Sequence, residues 1–168
     1  MKILAIRGRN LASLAGEFEV DFQAEPLASA GLFAITGPTG AGKSTLLDAL
    51  CLALFERTPR LTRASARSEI PDVGEHATTA ADPRTLLRRG AAEGFAEVDY
   101  VGREGIAWRA RWTVKRAYRR QDGKLQNTEI SLVRIADGQP VGGHTKKEIQ
   151  QAIEESIGLS FEQFTRAV

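Results

Sequence analysis

Gly37-Pro38-Thr39-Gly40-Ala41-Gly42-Lys43-Ser44 fills every position of the pattern G-x-x-x-x-G-K-[ST]. The pattern has structural meaning only between a strand and a helix, and its flanks supply both. Before it, Gly31-Leu32-Phe33-Ala34-Ile35-Thr36 is a continuous apolar run that predicts a buried central strand. After it, the stretch from Gly42 to about Phe55 is rich in Leu and Ala and apolar nearly all round, which predicts a helix enclosed by other elements, stopped by Pro59.

The residue types fit a polyphosphate. Its oxygens need several donors converging in one concavity, and a loop with little side-chain bulk lets backbone N–H groups approach. Gly37, Gly40 and Gly42 supply that freedom, with Pro38, Thr39 and Ala41 between them. The N–H groups from about Gly40 to Thr45 should surround a β-phosphate, helped by the partial positive charge of the helix N-terminus. Lys43 reaches the β- and γ-phosphates, the Ser44 hydroxyl is a Mg²⁺ ligand, and Thr45 is assigned to an α-phosphate. The implied cofactors are ATP and Mg²⁺. Phosphoryl transfer also needs a carboxylate at the end of an apolar strand. The nearest candidate, Leu132-Val133-Arg134-Ile135-Ala136-Asp137, is interrupted by Arg134 and followed by the turn residue Gly138, so no catalytic residue is assigned. Asp48 could orient a water, although an acid near a helix N-terminus is already favourable there.

Outward from the loop, Ile3, Leu4 and Ile6 with Arg7-Gly8-Arg9-Asn10 predict a short strand, and Glu17–Phe22 alternates as its hairpin partner. Thr62 to about Asp82 is poor in large apolar residues and reads as a mobile surface loop. Phe95–Val101, Ile106–Lys115 and Glu129–Ile135 predict an antiparallel meander, turning at Gly102–Gly105 and Gln121–Gly123. Thr145-Lys146-Lys147-Glu148 is a capping-box pattern that opens an amphipathic helix with Ile149, Ile153 and Ile157 inward and Gly158 at its end. Ser160-Phe161-Glu162-Gln163 repeats the start signal.

At 168 residues and 18.3 kDa the chain suits one domain. With 42% hydrophobic and 26% charged residues it is neither a disordered tail nor a membrane protein. Arg7 and Arg9 cut the first apolar stretch short of a signal peptide, and the sole cysteine, Cys51, reads as a packing residue in a reducing compartment. A cytoplasmic location is expected. His76 and His144 lack metal-ligand spacing, and Trp108 and Trp112, on one face of a strand, read as core.

The formal net charge of +2 excludes nothing. It is distributed unevenly, because Arg109, Arg111 and Lys115 share one strand face and Arg116, Arg119, Arg120 and Lys124 follow closely. Such a patch suits a duplex backbone. It equally suits cross-strand pairing with Glu97, Asp99 and Glu129, and the sequence leaves both open.

Together, Met1-Lys2-Ile3-Leu4, Asn10-Leu11-Ala12-Ser13-Leu14, Gly31–Ser44, Thr58-Pro59-Arg60-Leu61 and Phe164-Thr165-Arg166-Ala167-Val168 give the chain a narrower likeness. It resembles the N-terminal ATPase lobe of the SbcC family, the SMC-like ATPases of double-strand-break repair. The resemblance implies a P-loop NTPase half-domain of α/β class, the N-terminal lobe of an ABC/SMC head, with an antiparallel β-meander and flanking helices. It implies that Arg9, Asn10 and Ser13 pack against the nucleotide, that Ala12 stands where a polar or basic residue is usual, and that Arg88 and Arg89 in Leu87-Arg88-Arg89-Gly90 lie near the nucleotide. Arg88 and Arg89 suit a solvated charge pair equally well. Residues 1–168 would form a single lobe of a longer coiled-coil protein. Its partners would be an SbcD-like nuclease subunit, double-stranded DNA and a second copy, sandwiching ATP between two heads. A different SMC- or RecF-like DNA-organising ATPase and a stand-alone nucleotide-binding regulatory module remain as alternatives.

Overall fold

The computed structural model describes residues 1–30, 32–62, 64 and 68–167. Gly31, at the head of the expected strand, Arg63 and residues 65–67 of the expected loop, and Val168 lie outside the described residues. The chain is of mixed α/β content, built on an antiparallel sheet. Strands β1 (Lys2–Leu11) and β2 (Leu14–Asp21) form the opening hairpin, with Ile6 opposite Val20 and Gly8 opposite Phe18. Helix α1 (Lys43–Phe55) follows, then the short α2 (Pro59–Thr62) and a small hairpin of β3 (Glu69–Pro71) and β4 (Ala77–Thr79). β5 (Glu93–Val101), β6 (Ala107–Lys115) and β7 (Glu129–Arg134) make the meander, β8 (Pro140–Val141) adds an edge, and α3 (Lys146–Ile157) and α4 (Phe161–Ala167) complete the described chain.

The main sheet has the order β2-β1-β5-β6-β7-β8, and every neighbouring pair is antiparallel. Strict alternation in β6 buries Trp108, Ala110, Trp112 and Val114 on the face that carries α1. Ile6 from β1 and Ala96, Val98 and Tyr100 from β5 extend that face. The helix contributes Ala49 to Phe55 without a break, so it is enclosed as expected. Burial pushes the Cys51 thiol up to about 12, consistent with a packing role. On α3, Ile153 and Ile157 face inward, and Phe161 and Phe164 of α4 pack around Phe55 at ring-centroid distances of 5.6 and 5.3 Å.

The far end of α1 is fastened. Glu56 caps it in the left-handed region at φ 52°, donating its N–H to the Leu52 carbonyl. Its carboxylate accepts from Trp112 Nε1 at 3.2 Å, from Lys146 Nζ at 2.5 Å and from the Thr128 hydroxyl. Gln150 Nε2 donates to the Leu54 carbonyl at 2.9 Å, satisfying a helix-end group that would otherwise be unpaired. Both start signals in the last two helices are realised. Thr145 and Glu148 form the full capping box of α3, Gly158 closes that helix at φ 73°, and Ser160 and Gln163 exchange the same pair of bonds at α4.

The expected strand before the phosphate loop is absent. Among its described residues, Leu32 is 93% exposed, Phe33 48% and Ile35 46%, with no strand pairing. An apolar run becomes a buried strand only where a sheet edge receives it. Among the described residues β2 pairs with β1 alone, and Leu32, Phe33 and Ile35 instead line an open groove of about 1010 Å³ with Ile3, Phe22, Leu27, Leu47 and Phe164, the Phe33 ring 5.1 Å from that of Phe22.

The expected mobile loop from Thr62 to Asp82 is corrected in its described part. The β3–β4 hairpin occupies it, and Asp72 in its turn accepts from Arg116 Nη2 at 2.7 Å and Nη1 at 3.0 Å. A second turn, Pro83–Leu86, is capped by the Asp82 side chain. A stretch lacking large apolar residues is held here by a buried ion pair. Pro59 also does more than stop α1: Thr58 accepts at the head of α2, and Pro59 sits at its first position, where a missing N–H costs nothing.

The basic strand face resolves in favour of cross-strand pairing. Arg109 forks onto Asp99 with two bonds of 2.7 Å, Arg111 reaches Glu97 at 2.8 Å, and Lys115 pairs with Glu129. Arg7 adds Asp99 at 2.8 Å and Glu19 at 2.7 Å, and Arg111 also covers the Phe95 ring at 3.7 Å. Glu97 and Asp99 are 6% and 4% exposed, roofed by these guanidinium groups. The face is a neutralised ion-pair ladder rather than a bare cationic surface. Asp137 stays in a turn, paired with Arg134 at 3.0 Å.

Candidate phosphate-loop site

The loop reaches α1 through left-handed backbone at Gly40 (φ 86°) and Gly42 (φ 91°), a region closed to most side chains. A Cβ on Gly42 would meet Leu14 Cδ2 at 2.5 Å, so the β1–β2 turn presses against the start of the helix. Within the loop, the amides of Ala41 and Thr45 are spent on the Pro38 and Gly42 carbonyls at 3.2 and 2.9 Å. Those of Gly40, Gly42, Lys43 and Ser44 have no acceptor among the described residues and form the donor cluster at the head of α1. Lys43 Nζ donates to the Gly37 and Pro38 carbonyls at 2.6 and 2.9 Å, curling back over the loop.

A cavity of about 410 Å³ opens here, lined by Ala12, Ser13, Thr39, Gly40, Lys43, Ser44 and their neighbours. Ser44 is exposed to it. Thr45 lines it as well, but its side chain is buried and its hydroxyl lies 3.2 Å from the Ser13 hydroxyl. The expected α-phosphate contact of Thr45 would therefore have to compete with Ser13.

The opening segment divides. Ser13 and Ala12 line the cavity at the loop, whereas Arg9 and Asn10 line a neighbouring one of about 390 Å³ together with Arg88, Arg89 and Arg119. Arg9 is paired with Glu93 at 3.2 Å. Asn10, at φ 52°, bridges the Glu93 carbonyl and the Gly16 amide at 3.0 Å each, a local role suited to a side chain that tolerates left-handed backbone. Arg88 is neither a solvated charge nor free to face a ligand with its whole fork. Its Nη1 donates to the Ala12 and Ser13 carbonyls at 3.1 and 2.8 Å and so fixes the turn that walls the cavity at the loop. Arg89 lines a third cavity with Ala12, Thr85, Leu87 and Arg88, and like Arg88 it also borders the cavity of Arg9 and Asn10.

Two participants escaped the sequence reading. Glu93 organises Arg9, Asn10 and, at 3.4 Å, Arg119. Arg60 lines the cavity at the loop and donates to Asp48, which is 5% exposed. Burial pushes the Asp48 carboxyl above its usual range, opposed by Arg60 and Thr58. A signal was available: Asp48 is the one charge inside the long apolar helix run, and a buried carboxylate needs a partner.

Among the described residues no cluster of His, Cys, Asp and Glu suited to a metal occurs, and no helix is long and apolar enough to cross a membrane. A family model described as "AAA domain" matches residues 5–168. SbcC proteins of the SbcCD nuclease match across the whole chain: one from Pseudomonas aeruginosa at 58% identity, one from Rhodobacter capsulatus at 49% and one from Bacillus subtilis at 31%. The chain spans about 14% of the length of the first two and 13% of the third. With the family model covering nearly every residue and the phosphate loop folded at the head of α1, the chain belongs to the AAA-domain family, in the company of the SbcC proteins.

Proposed function

We propose that this chain is the nucleotide-binding N-terminal lobe of an SMC-like ATPase head, a P-loop NTPase half-domain within a longer coiled-coil protein. The observation that carries the reading is the phosphate loop: four unspent amides, Lys43 and Ser44 converge on one cavity at the head of α1. The residues fit ATP–Mg²⁺. Gly40, Gly42, Lys43 and Ser44 offer amides to the β-phosphate, Lys43 leaves its loop carbonyls for the β- and γ-phosphates, and Ser44 offers an oxygen to Mg²⁺. Mg²⁺, when bound, neutralises charge on the phosphate oxygens. Ser13, held by Arg88, sets the distance between the β1–β2 turn and the helix.

In the whole protein this lobe serves ATP-dependent processing of double-stranded DNA ends with an SbcD-type nuclease. Two heads sandwich ATP, in the cytoplasm. The support is the likeness over the full chain to SbcC proteins of the SbcCD nuclease, which are about seven times longer. The uncovered run from Leu32 to Thr36 and the apolar groove beside it would then receive further polypeptide of the same protein, as a strand needs a sheet to be buried. Isothermal titration with ATP–Mg²⁺ tests the site. The full-length protein should bind, and Lys43→Ala should lose most of that affinity by deleting the positive side chain among the phosphates. Equal affinities would refute the assignment.

A further inference from the structure

Arg60 stands outside the phosphate-loop pattern, yet it forms part of the wall of the same cavity. Its position follows from local structure. The left-handed Glu56 ends α1, Thr58 caps α2, and Pro59 at the first position of α2 sends the next side chain back alongside α1. There Nη2 donates to Asp48, one turn beyond Ser44 on the helix. Among the described residues this is the sole hydrogen bond of the guanidinium, so Nε and Nη1 have no partner there, and the side chain is 47% exposed on a residue that lines the cavity. A guanidinium is a planar fork with five donors, suited to binding a carboxylate on one edge and phosphate oxygens on the other.

The geometry points to Arg60 as a second cationic contact for the polyphosphate bound at this loop, with Asp48 as the residue that positions it. This rests on the reading of the loop as a nucleotide site. Asp48 explains itself in the same way. A bare buried carboxylate beside a polyphosphate would repel it, and the buried Asp48 is costly to leave without a partner. What the pair does provide is orientation: Nη2 is held by Asp48 beside the cavity, and the remaining donors of the fork are left for a ligand.

The test uses the full-length protein and inorganic tripolyphosphate, a probe that reports phosphate contacts without the base or ribose. Titration calorimetry should give an affinity about tenfold lower for Arg60→Ala, and a smaller loss for Arg60→Lys, which keeps the charge but not the fork. Asp48→Asn should weaken binding when Arg60 is present and add nothing in the Arg60→Ala background. A merely structural Asp48 would cost the same in both backgrounds, and that result overturns the positioning role. Thermal melts identify any variant that does not fold, in which case Arg60→Lys carries the comparison. Unchanged affinity in the Arg60 variants, with Lys43→Ala still defective, overturns the contact and leaves the nucleotide site standing. Unchanged affinity in Lys43→Ala removes the site itself, and the proposal with it.

Discussion

Arg116 at the end of β6 and Asp72 in the β3–β4 turn, 44 residues apart in sequence, are joined by two hydrogen bonds of 2.7 and 3.0 Å with both side chains almost wholly buried. Nη1 of the same arginine also donates to the Gly123 carbonyl at 2.9 Å. The pair thus fastens both the hairpin and the β6–β7 connection. Removing one partner strands a buried charge, so Asp72→Ala should cost about 3 kcal/mol in chemical denaturation.

The same pair sets an acid limit. The hydrogen bond from Arg116, which outweighs burial, holds the Asp72 carboxyl below the usual carboxylate range. A group with a depressed folded pKa contributes stability in full above its unfolded value, about 3.9, and loses it as the pH falls through the folded value. Unfolding curves between pH 6 and 2 should show this loss beginning near pH 4, and Asp72→Asn should remove that part of the acid dependence.

On the open face of the sheet, Glu97 and Asp99 depend on Arg7, Arg109 and Arg111 for neutralisation. Replacing Arg109, Arg111 and Lys115 together with Glu should therefore destabilise the fold, by placing carboxylates opposite carboxylates. Chemical denaturation checks this: the midpoint should fall relative to the parent protein.

Arg88→Ala should loosen the turn at Ala12 and Ser13 by removing the clamp on both carbonyls. Hydrogen exchange should quicken at the Ser13 and Leu14 amides, and ATP affinity should fall about tenfold through the displaced wall. Loss of affinity without faster exchange would make Arg88 a direct ligand instead.

The uncovered apolar run gives opposite expectations in two contexts. For the isolated 168-residue chain, Leu32→Ser with Ile35→Ser should reduce self-association in sedimentation. In the full-length protein the same changes should lower the melting temperature, because there the run would be buried.

What could be read from the sequence was what short-range chemistry encodes. The Thr145–Glu148 box, the glycine at 158, the alternation through Trp108 and Trp112 and the loop between Gly37 and Ser44 each needed only neighbours to declare themselves. The pairing of β1 with β5 did not, since Ile6 meets Val98 across some ninety residues and no local pattern distinguishes that partner from another. The run from Leu32 to Thr36 misled for the complementary reason: apolar content reports what a segment would bury, and burial requires a surface to receive it. Within the site, the loop was legible, while Arg60, Glu93 and the clamping role of Arg88 arise from side chains that meet only after folding.

Glu56, where three donors from the sheet, the β6–β7 connection and α3 meet, makes α1 a lever with a fixed fulcrum. Thirteen residues at 1.5 Å each put the loop end about 20 Å from that pivot. A displacement at the loop would be handed on to α3 through Glu56 and Gln150 and to α4 through the Phe55 ring.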